Sequence, residues 1–442
     1  MIFKRKIYDK LLKWKENSKG ESALLIEGAR RIGKSTIVEE FAKNEYKSYI
    51  LIDFSVAGEE VKSLFEDLRD LDFFFIRLQS IYDTFLYNRE SLIIFDEVQL
   101  CPKARQAIKH LVKDGRYDYI ETGSLISIRQ NTKDILIPSE EEKVKMFPLD
   151  FEEFLDAIGD KTTITLLRQA YENAHPIGDV LHREMMRKFR LYMLIGGMPQ
   201  AVVKYLESNN FQAVDSVKRR IIELYKEDFL KIDSRGRISD IFASIPAQLN
   251  SNRTFYTAPV KSLTSAKVKE TLIPNLVDSQ TVLIKYRCSD PGAGLSSFKD
   301  LDTFKLYLSD TGLFITEAFA DKTDTDNEIY VKIWIDKLSA NFGYLYENAV
   351  AQALASNGYS LFYNTFRDDT AHRNFEIDFL IPHGSKICPI EVKSGDYHKH
   401  HSLDVFSDKY SSDIFRRYII TTKDYAKEKD IIRLPIYMTM FL

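Results

Sequence analysis

Between about residues 22 and 155 the chain alternates short apolar runs with stretches of helical period: ALLIEG, KSTIVEEFAK, SYILIDFS, a long helical region to Tyr87, SLIIFDEV, PKARQAIKHLVKD, YDYIETGS and VKMFPL. Strand, helix and strand in repetition predict a parallel sheet with helices on both faces. The preceding MIFKRKIYDKLLKWKE reads as a basic amphipathic helix at the edge of that domain. From about 180 to 232 the period is helical, in LHREMMRKFRLYMLIGG and DSVKRRIIELYKEDFLKI, with the breaker GGMP at 196–199 between them. SDIFASIPAQLN and SAKVKETLIPNLVDSQ continue as helices, and TVLIKYR and TFKLYLSD follow as strands around the turn-rich SDPGAGLSS. Helices followed by a long-tipped hairpin outline a winged helix. A last unit opens with the helix SANFGYLYENAVAQALASNG and continues with the strands NFEIDFLI, ICPIEVK and RRYIITT. The expected fold is α/β and multidomain, divided at 1–178, 179–330 and 331–442.

Bulk numbers narrow this picture. A chain of 442 residues, 44% apolar, exceeds what one hydrophobic core serves and can fill two or three. Its net charge of −3 argues against an overall electrostatic grip on nucleic acid. The helical middle differs: residues 181–237 hold 12 Lys and Arg against 7 Asp and Glu, densest at KRR 218–220, with KVK 267–269 beyond. A winged helix with basic helices can lay one of them in the major groove, so DNA is a candidate partner. Cys101, Cys288 and Cys388 form no CxxC pair, which fits a reducing, cytoplasmic setting. No apolar run approaches the ~20 residues that cross a bilayer, so no membrane partner is expected.

GARRIGKS, Gly28 to Ser35, matches GxxxxGK[ST] between an apolar strand and a helix. In such a loop the backbone N–H groups of Gly28, Ala29, Arg30, Arg31, Ile32 and Gly33 curl around phosphates, with Thr36 just inside the helix. Lys34 reaches the β and γ phosphates, and the Ser35 hydroxyl ligates Mg²⁺. LIIFDEVQ ends a second strand in Asp96, suited to the Mg²⁺ shell, and Glu97, suited to polarise the attacking water. YIETGS delivers Thr122 and Ser124 toward the γ phosphate, and Asp53 ends YILIDF at the same sheet edge. ATP and Mg²⁺ are the expected cofactors, with Lys34, Glu97 and Ser124 as the catalytic set.

With GARRIGKST, LIIFDEVQ, ETGS, FPLDFEEFL, YMLIGGMPQAV, ELYKEDFLK, KLYLSDTGL and LYENAVAQAL in view, residues from about 1 to 330 resemble a prokaryotic AAA-type ATPase. The whole chain is similar to a family in which that ATPase is fused to a C-terminal domain of unknown function. The resemblance implies an ATP-driven switch or motor. Many relatives carry a Gly-Arg pair where this chain reads ILIPSEEEK, which leaves the arginine finger open among Arg105, Arg129, Arg187 and Arg190.

ICPIEVK places Glu391 and Lys393 on one face of a strand otherwise apolar. NFEIDFLI alternates Phe375, Ile377, Phe379 and Ile381 against Glu376 and Asp378, and a loop centred on Gly384 and Ser385 would set Asp378 opposite Glu391. Two converging carboxylates suit Mg²⁺, Lys393 can orient a water beside it, and Glu347 on the preceding helix can add a ligand. Glu347, Asp378, Glu391 and Lys393 in this order resemble the PD-(D/E)xK nuclease superfamily, a restriction-endonuclease-like fold. A nuclease, and a switch whose last domain binds protein or nucleic acid without cutting, both remain open. So do a protein partner and assembly with further copies of the chain.

Overall fold

The computed structural model describes residues 1–123, 138–251, 268–292, 294–320, 327–336, 343–368, 373–395 and 400–442. They form two compact units, Met1–Phe147 with Asp278–Gln280, and Pro148–Val277 with Thr281–Leu442. No helix among the described residues is long and apolar enough to cross a membrane.

The first unit runs α1 (Ile7–Ser18), β1 (Ala23–Glu27), α2 (Lys34–Glu45), β2 (Ser48–Asp53), α3 (Glu59–Leu64), α4 (Leu71–Tyr82), β3 (Ser91–Asp96), α5 (Pro102–Asp114), β4 (Asp118–Gly123) and β5 (Glu141–Lys145). All five strands are parallel, in the order β2-β3-β4-β1-β5. β1, β3 and β4 are buried at every position; β1 (ALLIE) and β3 (SLIIFD) accordingly read as nearly unbroken apolar runs, whereas β4 (DYIETG) buries Asp118, Glu121 and Thr122 as well. α1 buries Ile7, Leu11, Trp14 and Ser18, one helical stripe. Because β4 lies between β1 and β3, the ends of β1, β4 and β3 stand side by side at one sheet edge.

The second unit begins with α6 (Phe151–Ala157), α7 (Thr163–Glu172), α8 (Asp179–Ile195), α9 (Pro199–Ser208), α10 (Phe211–Ile232), α11 (Arg237–Asn250) and α12 (Ile273–Asp278). β6 (Val282–Cys288), β7 (Lys299–Leu308), α13 (Thr311–Ala318), α14 (Asn327–Trp334), α15 (Gly343–Ser356), β8 (Leu361–Asp368), β9 (Arg373–His383) and β10 (Lys386–Lys393) follow. α16 (His401–Lys409), β11 (Arg417–Thr421), β12 (Ala426–Glu428) and β13 (Ile431–Pro435) complete it. Eight strands make one mixed sheet, β12-β13-β11-β10-β9-β8-β6-β7.

This sheet corrects the expected winged helix. The β6–β7 hairpin is not a free wing: β6 pairs in parallel with β8, so the hairpin extends the C-terminal sheet. A two-stranded hairpin is marginal by itself, and the β8 edge completes it. The expected boundary at 330/331 therefore divides one sheet, and the first unit ends at Phe147 rather than at residue 178. Of the basic point at 218–220, only Arg220 is exposed. Lys218 is fully buried, with Nζ donating to Leu194 O at 2.7 Å and Gly312 O at 3.2 Å, and Arg219 pairs with Asp215 at 2.6 Å. Residue 267 of KVK lies outside the described residues.

Candidate functional sites

β1 ends at Glu27 and α2 starts at Lys34, so Gly28–Gly33 form the link. Met146 N donates to Glu27 O at 2.8 Å, and a Cβ on Gly28 would stand 2.6 Å from Met146 O, so the loop passes the end of β5 too closely for any side chain. Arg31 (φ 68°) and Gly33 (φ 92°) adopt the left-handed region and curl the loop before α2 begins. Lys34 Nζ donates to Gly28 O at 3.0 Å and to Ala29 O at 2.9 Å. Burial pushes this ammonium down to about 8, against the pull of the Glu97 and Asp96 carboxylates. Ile32 is buried and Thr36 exposed.

Ser35 Oγ donates to Asp96 Oδ1 at 2.8 Å, and the Thr122 hydroxyl donates to the same oxygen. Hydroxyls from α2 and β4 thus converge on one carboxylate at the end of β3. Glu97, next in the chain, is left-handed at φ 53° and accepts a hydrogen bond from the Gln99 side chain. Asp53 lies beside Asp96 in the sheet register, but its Oδ1 accepts from the Ser55 amide at 2.8 Å and serves the turn after β2. Ser124 and Arg129 lie outside the described residues.

The site also has a support that the motif reading missed. Arg5, buried ahead of α1, donates through Nη1 to Ile32 O at 3.0 Å and through Nη2 to Phe147 O at 2.6 Å, tying the phosphate loop to the segment after β5. A lone arginine before an amphipathic helix gives no signal of this, because the contact is made across the fold.

Among the finger candidates, Arg105 is corrected: it is buried and makes a bidentate pair with buried Glu141 at 3.0 and 2.9 Å, so it braces α5 against β5. In the second unit Arg190 Nε donates to Trp334 O at 3.0 Å, and Arg187 covers the Trp334 ring at 4.5 Å.

In the second unit β9 and β10 turn through Gly384 and Ser385 and pair from Lys386↔His383 to Ile390↔Phe379. Just past that ladder the Val392 amide donates to Asp378 Oδ2 at 2.7 Å. Carboxylate oxygens of Glu347, Glu376 and Asp378 lie within 4.8 Å of one another. Glu391 stands apart from this trio, since its carboxylate, 2% exposed, accepts from Ser402 and lies 3.4 Å from Lys393 Nζ. Glu347, Asp378 and Lys393 line a cleft of about 470 Å³ with Asn250, Tyr344 and Ser394.

Three further groups enter the cluster from the hairpin. Lys285 of β6 donates to Glu347 Oε1 and to Asp378 O, both at 2.8 Å. Lys305 of β7 pairs with Glu376, and Tyr307 donates to Glu347. Burial, joined by the charges of Glu347, Glu376 and Glu391, pushes the Asp378 carboxyl up to about 7. Glu347 is held low despite its burial, because Lys285 and Lys305 face it. Burial lowers Lys285, whereas the Glu376 and Glu347 charges outweigh burial and raise Lys305. The signal for these lysines was present in TVLIKYR and TFKLYLSD, a charge inside an apolar strand, and it is the same signal that marked Glu391 and Lys393.

Residues 20–155 match the family described as an AAA domain, and site and match together make the first unit an AAA-type P-loop ATPase domain. Residues 186–324 and 342–439 each match a domain of unknown function (DUF8612 and DUF4143). No curated protein matches the chain. Among solved structures it is similar to the Walker-type ATPase paby2304 of Pyrococcus abyssi, with 17% identity over 72% of this chain and 96% of that one and a TM-score of 0.42. It is also similar to the RuvB Holliday junction branch migration motor of Thermotoga maritima, with 13% identity over 63% and 89% and a TM-score of 0.29.

Proposed function

We propose that the chain binds ATP with Mg²⁺ at the β1–α2 loop and hydrolyses it. The observation that carries this reading is the sharing of Asp96 Oδ1 by Ser35 and Thr122, with Lys34 held on the carbonyls of the same loop. Bound Mg²⁺–ATP supplies the terminal phosphoryl group and the charge to be neutralised. The Lys34 ammonium exchanges the Gly28 and Ala29 carbonyls for phosphate oxygens. Ser35 and Asp96 are the oxygen donors suited to the ion, and the Thr122 hydroxyl keeps Asp96 oriented. Glu97 accepts a proton from the attacking water once Gln99 releases it. Titrating ATP and Mg²⁺ into the purified chain, with phosphate release as the readout, tests this. Association and turnover that vanish in Lys34→Ala are expected, and no association at millimolar nucleotide overturns it.

For the C-terminal cleft the reading is nuclease-like and DNA-associated, supported by the convergence of Glu347, Asp378 and Lys393 on one opening. With Glu391 turned to Ser402, the acids suited to a divalent ion become Glu347, Glu376 and Asp378. Divalent-dependent cleavage of DNA that disappears in Asp378→Ala and Lys393→Ala supports cutting. The second reading, a cleft that binds without cutting, is favoured by one observation: Lys285 and Lys305 already stand among the acids.

A further inference from the structure

We propose that Lys285 and Lys305 are the resident cations of the C-terminal acid cluster, filling the electrostatic role that a divalent ion takes between carboxylates, so that the cleft works without metal and does not cut. This rests on the second reading of the cleft, binding without cutting, and adds what neutralises its acids.

Lys285 and Lys305 are direct register partners on the antiparallel strands β6 and β7. Like charges in that relation repel, and both side chains are out of water, 0% and 2% exposed. They are tolerable only if the acids beside them belong to them: Glu347 to Lys285 at 2.8 Å, and Glu376 to Lys305. In the cluster the carboxyls of Glu347, Glu376 and Asp378 face the ammonium groups of Lys285 and Lys305, with Glu391 and Lys393 paired beside them, leaving at most one negative charge where a dication would leave an excess of positive charge.

The surroundings of Lys285 suit an ammonium rather than a metal. Its Nζ lies 4.2 Å from the Phe379 ring centre, 5.0 Å from Tyr307 and 5.2 Å from Tyr363, three aromatic rings that favour a monovalent organic cation. Mg²⁺ instead demands about six oxygens at roughly 2.1 Å and holds on to water. The strand that carries Lys285, β6, is paired on both edges, to β7 and to β8, and the Lys285 ammonium is fully buried against Glu347 and Asp378 O. Tyr307 takes up the same Glu347 oxygen as Lys285, which leaves that oxygen committed.

The test is Mn²⁺ binding to the nucleotide-free full chain, followed by electron paramagnetic resonance, with Ser35→Ala and Asp96→Asn removing the ion ligands of the first unit. This background is expected to bind no Mn²⁺ at millimolar concentration. Adding Lys305→Met, or separately Lys285→Met, is expected to create a site at least about tenfold tighter, because in each case one carboxylate beside Asp378 loses its counter-ion. Adding Asp378→Asn to the Lys305→Met chain should remove that site. Stoichiometric Mn²⁺ in the background chain that is lost with Asp378→Asn overturns the proposal, as does an absence of Mn²⁺ from both folded lysine variants. If neither lysine variant folds, the unaltered chain still decides: Asp378→Asn must leave its count of bound Mn²⁺ unchanged. ATP turnover plays no part in these readouts, so they stand or fall apart from the first unit, while metal-dependent DNA cleavage by the wild-type chain would sink the proposal and leave the nuclease-like reading intact.

Discussion

Ser35 Oγ stands 2.8 Å from Asp96 Oδ1, joining the start of α2 to the end of β3 across the intervening β4. Ser35→Ala takes away one proposed ion ligand together with one of the two hydroxyls on Asp96. Phosphate release is expected to fall at least about tenfold while nucleotide still binds. Glu97→Gln keeps the shape but not the base, so bound ATP should persist with turnover down about 10²–10⁴-fold. Equal loss of binding and turnover in Glu97→Gln would remove the assigned role.

Arg5 holds Ile32 O and Phe147 O with one guanidinium. Arg5→Ala frees the phosphate loop, and the expected result is a KM for ATP raised about tenfold with a smaller change in kcat, since the loop must be ordered by the ligand itself. Arg5→Lys should not rescue, because a single ammonium lacks the fork that spans two carbonyls. A fall in Tm with KM unchanged would show a merely structural role.

Arg105 and Glu141 exclude water from each other in the first unit. Arg105→Ala leaves the buried Glu141 side chain with only half-exposed Lys143, at 3.6 Å, beside buried Glu121, and unfolding by denaturant should show a loss of about 3 kcal/mol. The double variant Arg105→Met with Glu141→Leu should recover most of it. ATP turnover of the double variant, measured where it is folded, should stay near wild type; a collapse of turnover would return Arg105 to the chemistry.

Gly197 marks where the GGMP and FPLDFEEF segments cross. A Cβ there would lie 2.0 Å from Leu149 O, whose chain also donates an amide to Gly197 O at 2.8 Å. Gly197→Ala must push two backbones apart and should cost more than about 3 kcal/mol. Gly58→Ala, with nothing within 4 Å and φ −68°, should change stability by less than about 1 kcal/mol. Similar thermal shifts for the two would contradict the crossing.

Burial pushes the Lys218 ammonium down to about 8, against the attraction of Asp215 and Asp310. The unfolded chain therefore binds the Lys218 proton more tightly than the native chain does, and stability from this group is fully present above its unfolded value and lost as pH falls through the folded one. Relative to Lys218→Met, the wild type should gain up to about 3 kcal/mol between pH 8 and 10.5. Parallel pH profiles of the two chains in urea unfolding would show that Lys218 does not titrate there.

What could be read along the chain was whatever depends on neighbours in sequence. Gly28 to Ser35 reads as a phosphate loop because its glycines, lysine and serine lie within one strand-to-helix turn, and the buried strands β1 and β3 announced themselves by nearly unbroken apolar runs. The turn at Gly384 and Ser385 and the helix around Glu347 were legible for the same local reason. Only the tertiary structure decided where the β6–β7 hairpin went, because the free edge of β6 is satisfied equally by solvent in a wing or by β8 in a sheet, and local pattern does not distinguish them. That choice carried Lys285 and Lys305 into the acids, while packing elsewhere turned Glu391 toward Ser402 and buried Lys218 in a segment whose charge count suggested a basic surface. Charge is written in the sequence, but its partner and its distance from water are properties of the packed chain.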